Sequence, residues 1–166
     1  MKTRARILSA SVVLSTMLFA ATADAAEEFT SGYGALDVFD GQAFVGLPLA
    51  VKSWLVFMLL TFAAGLLFAR KHPIARWATG GIVVSMLTGH AVFQALGLPM
   101  LSGSIAICHV VCWTPALVLL LIKRPFFDRD EGRWFRIWSA VMTCVILISF
   151  VFDIRDAAIY IRHFSE

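Results

Sequence analysis

Charge is scarce in this sequence. Only 14 Lys and Arg and 11 Asp and Glu occur among 166 residues, 15% of the chain, while hydrophobic residues make up 60% and the mean hydropathy is +0.83. A soluble globular domain is excluded, because its surface needs far more polar cover than this. The formal charge of +3 does not point to nucleic acid either. The basic residues cluster at the ends of apolar runs, where they report membrane topology.

Catalytic signatures are missing too. There is no GxSxG, no phosphate-cradling GxxxxGK, no HExxH and no Rossmann glycine pattern. The three cysteines form no CxxC pair, and no CxxCH would attach a haem covalently. There is no internal repeat or low-complexity tract, and no loop is long enough for a soluble catalytic domain. An enzyme acting alone is therefore not expected. Nor is a transporter, since four helices with no evident unwound midplane break would need to assemble into an oligomer.

What is present reads as an all-α integral membrane protein, a four-transmembrane-helix bundle preceded by a cleavable signal peptide. Residues 1–25 carry a basic start (Lys2, Arg4, Arg6), an apolar stretch from Ile7 to Ala20, and the small-x-small site Ala23-Asp24-Ala25. An uncleaved signal anchor is the alternative, and it leaves the topology unchanged. Residues 26–48 form the only sizeable segment outside the membrane before the first span. Their irregularly spaced Phe29, Tyr33, Leu36, Phe39 and Phe44 suggest turns or a short helix against the outer membrane surface.

The transmembrane domain occupies residues 49–153. Its four apolar runs are Leu49 to Ala69, Trp77 to Leu96, Gly103 to Ile122 and Trp134 to Phe152, each near the ~20 residues needed to cross ~30 Å of hydrocarbon. Their continuous hydrophobicity requires helices, since a lone strand leaves its backbone groups unsatisfied in lipid. Arg70, Lys71, Arg76, Lys123, Arg124, Arg129, Arg133 and Arg136 gather on one face, against Lys52, Arg155 and Arg162 on the other. The positive-inside rule then predicts a bacterial inner-membrane protein with both mature termini periplasmic. Trp54, Trp77, Trp134 and Trp138 near the span ends fit interfacial positions. The tail, residues 154–166, either prolongs the fourth helix or lies along the surface.

Gly81, Ser85 and Gly89 recur every four positions and predict a small-residue packing face on the second span. Pro115 is expected to kink the third. Between those spans the sequence GHAVFQALGLPMLSGSIAICHVVCW places His90 and His109 at matching depth, about 12 Å from the connecting turn at ~1.5 Å per residue. Ionisable groups inside spans mark candidate functional sites. Two imidazoles at equal depth on antiparallel helices could ligate one haem b.

On that reading the chain is a small accessory or electron-transfer subunit, with the bilayer and a membrane or periplasmic protein as its partners. The competing class is a structural or assembly protein without cofactor, in which the histidines bond between helices, His90 for example with Gln94. A further alternative is a soft metal site of Cys108, His109 and Cys112, which fall close together on one helix, with Cys144 on the fourth span a possible neighbour. Asp153 is either a carboxylate behind an imidazole or, as the sequence favours, an interfacial partner of Arg155 or Lys52.

Overall fold

The computed structural model describes residues 34–97 and 99–165. The expected signal peptide and its cleavage site lie outside these residues. Among the described residues the protein is helical, with one isolated bridge between Val38 and Leu101 in place of any sheet. Four helices are long and apolar enough to cross a membrane: Leu49–Ala69, Pro73–Leu96, Ser102–Lys123 and Arg133–His163. They pack with apolar side chains both inside and out. Phe62, Ala75, Ala78, Trp113, Leu120, Phe135 and Ile146 form the buried centre, while Leu49, Leu67, Met86, Ile122 and Val151 lie well exposed on the outer faces. Helices hydrophobic all round belong in lipid.

The spans begin and end where local chemistry directs. The second starts at Pro73 rather than Trp77, because proline at the first helical position has the right φ and no N–H to leave unsatisfied. It continues through a π-helical turn at Thr88–Val92 and a last turn at Phe93–Leu96, closed by Gly97 at φ 65°. The third helix runs unbroken through Pro115. The fourth is the longest at 31 residues, about 46 Å at ~1.5 Å per residue, so it outruns the ~30 Å hydrocarbon layer. Of the two readings of the tail, the extended helix is the one realised.

Close packing fixes how the spans meet. Gly81, Ser85 and Gly89 are all buried, and a Cβ at Gly81 would stand 2.7 Å from the Cys112 carbonyl oxygen. The second and third backbones are therefore in direct contact, as small-residue stripes permit. Several hydroxyls inside the bundle are satisfied by their own helices: Thr61 donates to the Phe57 carbonyl at 2.8 Å and Thr79 to that of Ala75 at 2.7 Å, while Ser149 donates across to Met58 Sδ at 3.6 Å. Trp138, expected near a span end, lies in the second turn of the fourth helix and faces inward. It is buried, and its indole N–H donates to the Thr61 carbonyl at 2.9 Å, tying the fourth span to the first.

One end of the bundle carries a small cap. Asp40 accepts from the backbone N–H groups of Gln42 and Ala43, starting the short helix Gly41–Gly46. Ahead of it the chain is laced to the start of the third span, with Gly103 N–H donating to the Ala35 carbonyl at 2.7 Å and Phe39 N–H to that of Met100 at 2.9 Å. Buried Tyr160, from the extension of the fourth helix, packs there as well. The segment is docked on the protein rather than lying only against a membrane surface.

Candidate functional site

His109 stands two turns into the third span, and Trp113 follows one turn later on the same face. The two rings stack with centroids 4.1 Å apart and planes 16° from parallel. Trp113 is only 1% exposed and packs in turn on Phe62 of the first span, at 4.9 Å. Indole packing thus limits how the imidazole can turn. From the fourth span Asp153 approaches, with Oδ1 3.4 Å from His109 Nδ1.

This pairing replaces the partners that the sequence favours for Asp153. Lys52 is engaged elsewhere, donating to the Val45 carbonyl at 2.6 Å. Asp153 side-chain exposure is 16% and that of His109 23%, so the pair is largely withdrawn from the surface. Two buried polar atoms, Asp153 Oδ2 and Nε1 of the stacked Trp113, have no hydrogen-bond partner among the described residues. One is an acceptor, the other a donor. A carboxylate in a span is costly even when paired, and an unmatched oxygen adds to that cost. Unsatisfied buried groups of this kind call for a function or for a bound polar species.

His90 occupies a different environment. It lies in the π-helical turn, on the exposed side of the second span, and makes no hydrogen bond, ion pair or ring contact with any described residue. The preceding residue, Gly89, is buried and faces Met100. One step along the helix turns the next side chain away from that face, and His90 is exposed on the outer side. The bond to Gln94 is not made. His109 turns to the fourth span and His90 to the outside.

Cys108 and Cys112 are partly buried free thiols, and Cys144 is exposed. Among the described residues no group of three or more His, Cys, Asp or Glu side chains converges to hold a metal ion. A second imidazole and carboxylate pair occurs at the opposite, basic end. His72 Nδ1 lies 3.5 Å from Glu131 Oε2, and its ring stacks on Phe135 at 3.6 Å. This pair joins the connection after the first span to the one before the fourth. No local spacing in the sequence announces it, because the two residues lie far apart along the chain.

The fold and the site together define a multi-pass membrane protein with an imidazole–carboxylate pair held between two spans. Compared with protein-family models, curated proteins and solved structures, the chain matches none.

Proposed function

We propose that the chain is a small multi-pass subunit of a bacterial inner membrane, and that the His109–Asp153 pair is its working site. The pair takes up and passes on a proton in support of a membrane or periplasmic electron-transfer partner. The signal peptide delivers the mature chain with both termini periplasmic, which places the pair in the outer half of the bilayer. The observation that carries this reading is the buried Asp153 Oδ2, which finds no donor among the described residues. A pair serving only to cement helices gains most when every polar atom is matched. Here the carboxylate keeps an acceptor free, and the indole N–H of Trp113 offers a donor nearby, as transfer to water or a polar ligand would need.

A second reading retains haem b. Ligating histidines commonly present their other ring nitrogen to a carboxylate, and Asp153 meets His109 Nδ1 in that manner, leaving Nε2 for an iron. With His90 turned outward, His109 is the residue of this chain that would hold the group, and any second protein ligand would come from a partner chain. The group would supply one-electron chemistry, while Asp153 would orient the imidazole.

Two measurements on the purified protein decide between these readings. The first is a reduced-minus-oxidised visible spectrum of protein made with ample haem, in which haem bands abolished by His109→Gln establish the second reading. The second is infrared difference spectroscopy across a pH step. The proton-handling reading expects a carboxylic-acid band that disappears in Asp153→Asn and shifts in His109→Gln. If neither haem bands nor an Asp153 band is found, the pair is a helix cement and both readings fall.

A further inference from the structure

Away from the histidine pair, the second and third spans leave an open groove of about 700 Å³ between them. That volume lies within the range of small-molecule sites, ~300–1,000 Å³. One wall runs along the second span from Pro73 to Val84, about 16 Å at ~1.5 Å per residue, and the other is formed by Val111, Cys112 and Pro115. At its floor Gly81 lies against the Cys112 backbone, while a Cβ at neighbouring Gly80 would meet nothing within 4 Å. The paired glycines thus do different things. Gly81 lets the helices touch, and Gly80 keeps the space beside that contact empty.

The chemistry changes along the groove. Val84, Val111, Cys112 and Pro115 line an apolar inner part, and Arg76 with Trp77 stands at the mouth, toward the basic connection that also carries Arg70 and Lys71. No acidic residue lines the groove, and Arg76 forms no ion pair with any described residue. Trp77 and Val84 are each about half exposed, at 53% and 52%, so the groove opens sideways to lipid. A guanidinium at the head, an indole at the interface and a narrow apolar trough match an amphiphile with an anionic head and a long tail.

We infer that this groove binds an anionic phospholipid, with one acyl chain against Gly80, Val84 and Pro115 and the phosphate on Arg76. The guanidinium is not needed by the bundle itself and stands where a phosphate at the membrane surface would lie. One basic side chain near a membrane surface favours an anionic over a zwitterionic headgroup by about fivefold.

Trp77 supplies the reporter. The full-length protein is placed in nanodiscs of phosphatidylcholine containing equal mole fractions of brominated phosphatidylglycerol or brominated phosphatidylcholine, and tryptophan quenching is measured. The expected result is stronger quenching by the glycerol lipid, about fivefold in relative affinity, carried by the signal that Trp77→Phe removes. Arg76→Gln should make the two lipids equal. Gly80→Leu should fill the trough and abolish the preference while leaving helix content and thermal unfolding intact. Equal quenching of wild type by both lipids overturns the proposal, as does a preference that survives either Arg76→Gln or Gly80→Leu. If instead cross-linking shows two copies joined through this face and Trp77 shielded from both lipids, the groove belongs to a second chain and the lipid site is refuted.

Discussion

Gly81→Ala and Gly80→Ala are the same chemical change at adjacent positions, yet they should move stability in opposite directions. At Gly81 the new methyl would stand 2.7 Å from the Cys112 carbonyl oxygen and 3.4 Å from both the Cys112 carbonyl carbon and Trp113 Cδ1. The nearest obstacle is backbone, which cannot rotate away as a side chain tip can. Reaching an ordinary carbon–oxygen contact of ~3.4 Å requires the second and third spans to part by about 0.7 Å. Overpacking of this kind costs ~1–3 kcal/mol, and the better helix propensity of alanine returns up to ~1 kcal/mol. The net loss should be about 1–2 kcal/mol. Gly80→Ala meets no neighbour within 4 Å and should be neutral or stabilising by up to ~1 kcal/mol. Reversible unfolding in mixed detergent and dodecyl sulfate micelles, followed by circular dichroism, measures the difference, expected at about 1–3 kcal/mol. Equal stability of the two variants would show that the backbones are not in contact at Gly81, and the placement of the second span against the third would be wrong.

Two further substitutions test the ends and the centre of the bundle. Gly103→Ala would bring a Cβ to 2.5 Å from Tyr160 Cβ and 2.8 Å from the Ala35 carbonyl oxygen; it should cost about 3 kcal/mol and release the cap, seen as faster proteolysis within residues 34–47 than in wild type. Trp138→Phe keeps most of the ring but removes the donor to the Thr61 carbonyl; a loss of about 1–3 kcal/mol in the same unfolding assay is expected, and no loss would mean that this buried bond contributes nothing to joining the first and fourth spans.

The spans were legible because continuous hydrophobicity over a membrane's thickness admits few solutions. The first span agrees with its expected bounds, Leu49–Ala69. Boundaries shifted where hydrophobicity was the wrong guide. His72-Pro73-Ile74-Ala75-Arg76 looks like a charged connection, but its proline starts the helix. After Phe152 the polar residues of DIRDAAIYIRH still form helix because they leave the bilayer without meeting a breaker, and buried Ala157 and Tyr160 give that extension one packed face. Trp134 and Trp138 share one side of the fourth helix, yet the first is exposed and the second buried, because one turn further along Phe68 and the Thr61 carbonyl of the first span cover the indole.

Rotation about the helix axis is the part of the site that the sequence does not carry. Counting residues from the turn gives His90 and His109 an expected depth, but a span hydrophobic on all sides carries no apolar stripe to say which way each faces. One signal was nevertheless present. The small residues Gly81, Ser85 and Gly89 define the inward face of the second span, and His90, one residue beyond Gly89, falls ~100° away from it. The small-residue stripe and an inward His90 were competing predictions, and close packing prevailed, because a buried glycine facing Met100 leaves its successor no way inside. For His109 no such marker exists. Its partner comes from 44 residues along the chain, and only the packing of the third span on the fourth brings Asp153 to the imidazole. What the sequence did contain was a carboxylate placed where the fourth span nears the surface, a costly position for which it offered an imidazole as one partner and favoured Arg155 or Lys52 as the other; the structure has His109.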